Sequence, residues 1–164
     1  MMGWDFGLKA PLQITRGFVG TSLAGGKTNG GTVQIERLTP DPLDTACDTK
    51  ATVRWGEEST WLGMGTPWTT RELEVQDVDA TKDLRATLGR TEQGRAELVI
   101  TNGQGPRSTE MRFPLGQADS VQDGVELRGE TLKVTHRERK AEQETRISMG
   151  GQDYVLRDGR LQSA

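Results

Sequence analysis

The feature that most constrains this chain is a two-residue hydrophobic rhythm. Consecutive side chains on an extended backbone point to opposite sides, so apolar residues at every second position describe a ribbon with one buried face. In "ATVRW", Ala51, Val53 and Trp55 fall on one side, with Thr52 and Arg54 on the other. The same rhythm pairs Val33 with Ile35, Leu73 with Val75, and aligns Ala96, Leu98 and Ile100. It aligns Met111, Phe113 and Leu115 in "TEMRFPL", and Leu132, Val134 and His136 in "TLKVTH". Charged residues hold the alternate positions, as expected of antiparallel sheets wet on one side. The pattern predicts an all-β fold: a mostly antiparallel sandwich or small barrel.

Punctuation between the runs agrees. "TNGQGPR" (101–107) predicts a hairpin with a longer loop. "QDG" (122–124) and "RDG" (157–159) read as Asp-Gly turns, the second folding "DYVL" back onto "RLQ". Val125 and Leu127 are out of phase with Leu132, Val134 and His136, so one continuous strand cannot bury both sets. The "RGE" between them, 128–130, must be a turn or bulge.

Two segments depart from the rhythm. "DVDATKDLRATLG" offers Asp77 or Asp79 as an N-cap, Leu84 and Leu88 four residues apart, and Gly89 as a terminator. It predicts one short α-helix over about residues 79–88. "GTSLAGGKTNGG", 20–31, is Gly-rich and polar, and reads as a flexible loop or linker. No repeat or second boundary interrupts the chain, and the expectation is a single β-rich domain over 1–164.

Composition narrows function mainly by exclusion. With 21 basic against 24 acidic residues the net charge is −3, whereas a nucleic-acid platform needs a concentrated cationic stripe. The densest basic run, "HRERK" (His136–Lys140), contains Glu138 and reads as a solvated hairpin tip. A single cysteine, Cys47, forms no internal disulfide, and its acidic neighbours raise the pKa expected of its thiol. No apolar run is long enough to span a bilayer. "MMGWDFGLKAPLQ" lacks the basic start and apolar block of a signal peptide, although the doubled methionine is compatible with a removed leader or anchor. Compartment is left open.

Motifs for chemistry fail on inspection. In "GTSLAGGKT", the first glycine of a phosphate-cradling loop would fall on Thr21, and "NGGTVQIE" continues as turn and strand rather than helix. His136 is the lone histidine, in phase with a buried face, and no Gly-x-Ser-x-Gly elbow supplies a nucleophile. Zinc lacks ligands of the right type. Asp41, Asp44 and Asp48, like Asp77, Asp79 and Asp83, form aspartate clusters that turns and helix caps explain. Glu57 and Glu58 are adjacent and so point to opposite faces. The expectation is no catalytic residues, no metal and no cofactor.

The tryptophans remain. Trp55, Trp61 and Trp68 cluster around "LGMGTP", and Met64 sits between two glycines at the loop tip. Trp55 continues a buried phase, whereas Trp61, Met64 and Trp68 are the candidate binding residues. Two functions are compatible with this. One is a non-catalytic structural or interaction protein of an envelope, secretion or virion type assembly, with a protein partner or self-assembly. The alternative is a ligand-binding β domain that uses the aromatic cluster, with carbohydrate as its ligand.

Overall fold

The computed structural model describes residues 12–16, 23–27, 30–38, 47–60, 65–77, 84–103 and 109–164. Among them the regular elements are all strands. They run β1 (Gln13–Arg16), β2 (Leu23–Lys27), β3 (Gly30–Leu38), β4 (Cys47–Thr60), β5 (Trp68–Asp77), β6 (Leu84–Arg90) and β7 (Arg95–Asn102). There follow β8 (Thr109–Gln117), β9 (Glu126–Gly129), β10 (Thr131–Arg139), β11 (Glu142–Met149), β12 (Gln152–Arg157) and β13 (Arg160–Ser163).

They form two antiparallel sheets packed face to face, a sandwich-like arrangement. The smaller has order β1-β8-β7-β6-β9 and the larger β13-β12-β11-β10-β5-β4-β3-β2. The predicted apolar phases line the space between them. Leu84, Ala86, Leu98, Ile100, Met111 and Phe113 are buried from the small sheet. Val53, Trp55, Leu73, Val75, Leu132, Val134 and Ile147 meet them from the large one. Each fully buried Leu, Ile or Phe contributes about 1.5–3 kcal/mol relative to exposure, so this layer is the main driving force for folding.

The helix expected over 79–88 is corrected by the structure. Residues 78–83 lie outside the described set, but 84–90 form β6, with Leu84, Ala86 and Leu88 buried in alternation. A four-residue spacing of leucines is one helical turn, and it is equally two steps of a strand. In the strand Ala86 is buried on the same side as both leucines, a face it would not share with them in a helix. Register then seats Leu88 against Leu98 and Ala86 against Ile100, leaving β6 paired on both sides.

Within the Gly-rich segment 20–31, expected as a loop or linker, the described residues 23–27 and 30–31 are strand, and the others lie outside the described set. β2 occupies 23–27 and pairs with β3, which begins at Gly30. Backbone pairing asks nothing of a side chain, so glycine composition does not forbid it.

The phase change at 128–130 has a tertiary cause. β9 belongs to the small sheet and β10 to the large one, so "RGE" carries the chain from one layer to the other. A Cβ on Gly129 would come within 2.7 Å of the Gly150 backbone nitrogen, so this corner packs too closely for a side chain. The Asp-Gly turn at 158–159 forms as expected: Asp158 and Gly159 both have positive φ (53° and 76°) between paired Arg157 and Arg160. That is the twist-compatible two-residue hairpin.

Candidate functional site

The site grows from β10, whose pleat divides the charged run in two. Leu132, Val134, His136 and Glu138 face the sandwich interior, and Lys133, Thr135, Arg137 and Arg139 face out. "HRERK" is therefore mostly strand, paired to β5 on one side and β11 on the other, rather than a solvated tip. Only Lys140 and Ala141 form the turn.

On the outer face, β10 lies beside the start of β5. Glu138 is opposite Thr69, which sets Trp68 level with Arg139. The Arg137 and Arg139 guanidinium carbons lie 4.7 and 4.5 Å from the Trp68 ring centroid. Such stacking contributes about 0.5–1 kcal/mol at an exposed position, and it holds a planar cation in a defined orientation. Arg139 also donates to Glu142 at 3.3 and 3.4 Å across the hairpin, a long contact between exposed groups. Further along the same face, Gly56 and Thr135 leave a hollow of about 310 Å³ flanked by Arg54, Glu72, Glu74 and Lys133.

On the inner face, His136 is fully buried. Its Nδ1 lies 2.7 Å from the Thr145 hydroxyl on β11, its cross-strand neighbour. Glu138 Oε2 is 3.6 Å from Nε2, and Arg71 of β5 binds the same carboxylate at 2.5 Å. A carboxylate near Nε2 suits the tautomer protonated there, in which the Thr145 hydroxyl donates to Nδ1. Burial, then the Arg71 charge, push the His136 pKa below its ordinary value, and the opposing pull of Glu138 is the smaller effect. For Glu138, burial would raise the carboxyl, but the hydrogen bond and charge of Arg71, aided by His136, hold it below the ordinary range. Imidazole is thus kept neutral and carboxyl ionised.

Gly116 of β8 closes this network from the other sheet. Its φ is 91°, and a Cβ there would overlap the Gln143 amide oxygen and come within 3.1 Å of His136 Nε2. It follows a bulge in which Ala96 pairs with Gly116 but Glu97 with Pro114. Gln143 donates to the Gln117 carbonyl, and together with Thr145, Leu115, Leu156 and Asp158 it borders a cavity of about 690 Å³.

Among the described residues the tryptophan cluster expected from sequence is not assembled. Trp55 is 5% exposed and faces the core, whereas Trp68, of opposite phase on the paired strand, faces outward. Trp61 and Met64 lie outside the described residues. Of the candidate binding residues, the structure therefore places Trp68 alone, and it brings to it two residues that sequence reasoning missed, Arg137 and Arg139. Their signal was present as an i, i+2 pair on one face of a strand, but their aromatic partner is about seventy positions away. Glu57 and Glu58 do take opposite faces, with Glu57 across from Arg71. No family model, curated protein or solved structure matches this chain.

Proposed function

We propose that this is a non-catalytic interaction protein, a subunit or accessory of a larger protein assembly, and that it makes contact through the outer face of its eight-stranded sheet. The observation that carries this reading is the stack of Arg137 and Arg139 on a half-exposed Trp68. Trp and Arg dominate the energetics of protein interfaces because both present large, rigid, partly apolar surfaces with directed donors. The adjoining hollow over Gly56 gives the same face relief into which a partner side chain fits.

The inner network supports a structural role for the lone imidazole. Inside the sandwich the Thr145 hydroxyl engages His136 Nδ1, and Glu138 is engaged by Arg71. A carbohydrate platform is the weaker reading, since it needs a free indole face, Trp55 is turned into the core, and two guanidinium groups cover Trp68.

Cross-linking and mass determination on the protein purified from its natural source test the proposal. A complex larger than the 18.0 kDa chain is expected, with cross-links concentrated on β5, β10 and β11. A strict monomer at high concentration, without cross-linked partners, would overturn it.

A further inference from the structure

We infer that Arg137 and Arg139 form a clamp for carboxylates, and that the partner reaching this face does so through a short segment carrying one or two acidic side chains. This rests on the interaction reading of the same face and specifies the chemistry of its partner.

The inference starts from what stacking does to arginine. A guanidinium lying over an indole uses its apolar plane for the ring and keeps its N–H edge for an acceptor. Both groups here rest against one ring, so two donor-bearing side chains are held to the same small area of the surface. Among the described residues Arg137 makes no ion pair: Glu144, its register neighbour on β11, is engaged instead by Arg146 at 3.0 Å. Arg139 has only the long contacts to Glu142, a residue 63% exposed and free to swing away. The clamp is thus charged, oriented and under-used. Bidentate pairing of arginine with carboxylate is the strongest use of such an edge.

The surroundings set the size of the ligand. Glu72, Glu74, Glu142 and Glu144 lie on the same face, interspersed with Arg54, Lys133 and Arg146, so a long polyanion such as nucleic acid would meet carboxylates beyond the clamp rather than a continuous cationic stripe. One or two carboxylates on an otherwise neutral peptide avoid that. The chain's net charge of −3 makes this local cationic pair a directional signal against an acidic background.

The test is an NMR titration of the full chain with a neutral peptide bearing a Glu-Glu pair, against the same peptide with Gln-Gln. Saturable shifts of the Arg137 and Arg139 side-chain signals and the Trp68 indole N–H are expected with the first peptide only. The double variant Arg137→Gln/Arg139→Gln should bind at least about tenfold more weakly, whereas Arg112→Gln, on the other sheet, should bind as the native chain does. Arg137→Lys/Arg139→Lys keeps the charge without the fork and should recover only part of the affinity. Equal shifts with both peptides, unchanged binding by the double Gln variant, or tighter binding of a single-stranded oligonucleotide would each overturn the clamp. Absent peptide binding, with cross-links still on this face, sinks the clamp and leaves the interface. Cross-links elsewhere sink the interface.

Discussion

Strand β10 offers a comparison within four residues. His136 and Glu138 point in, Arg137 and Arg139 point out, and the same local sequence yields two different polar sites. The inner pair is engaged across β11, β10 and β5: Thr145 hydrogen-bonds His136 Nδ1 and Arg71 binds Glu138, while His136 Nε2 faces Glu138 at 3.6 Å without a hydrogen bond. The outer pair rests on an aromatic face; among the described residues Arg137 has no ion-pair partner, and Arg139 has the long contacts to Glu142. Burial demands partners from within, because an unpaired polar group in the interior costs about 1–3 kcal/mol. Exposure makes no such demand, and that difference separates a group that holds the fold from one free to bind something else.

The largest effect that tests this contrast is acid. The folded chain holds His136 neutral below its ordinary pKa of 6.5, so the unfolded chain takes up that proton first. Its contribution to stability is complete above pH 6.5 and falls as pH drops from there toward the lower folded value. Glu138, ionised in the fold below its ordinary 4.5, adds a second loss as pH falls further. Urea midpoints measured from about pH 8 to about pH 4 should fall in that order, and His136→Gln should remove the first stage. A flat profile would mean that the inner pair is not engaged in this way.

Next in size, Thr145→Val removes the hydroxyl while keeping the shape, and leaves Nδ1 without its partner. A loss of about 1–3 kcal/mol in chemical unfolding is expected. Arg71→Met should be milder, about 1 kcal/mol, because Glu138 is a third exposed and water screens what the guanidinium leaves behind. Smallest is Trp68→Ala on the outer side. It removes two cation–π contacts and should cost less than about 2 kcal/mol, while abolishing the binding proposed for this face. If Trp68→Ala destabilised the protein more than Thr145→Val, the division into a structural inner face and a binding outer face would be wrong.

Most of the strands are legible in the sequence, and the exceptions have physical causes. Leu84 and Leu88 suggested a helix because a spacing of four satisfies both periodicities, and only pairing with β7 and β9 removed the ambiguity. The glycines of 20–31 suggested a loop because side chains, which sequence patterns count, contribute little to a backbone ladder. The out-of-phase runs around 128–130 were recognised as a break, but that the break crosses between layers required both sheets. The site was half legible. Trp68 was named, yet it was grouped with Trp55 by nearness along the chain, and the odd spacing between them puts the two on opposite faces of adjoining strands.

What the amino-acid order decided by itself was which residues alternate, where the chain turns, and which side of each ribbon is greasy. These follow from the pleat and from local dihedral preferences, which extend over a few residues. Which ribbons lie side by side was decided only in the folded molecule. Pairing joins segments far apart in the chain through backbone groups that are identical at almost every position, so register emerges from the packing of the whole interior. That packing set Trp68 beside Arg139, and buried the single histidine against Thr145.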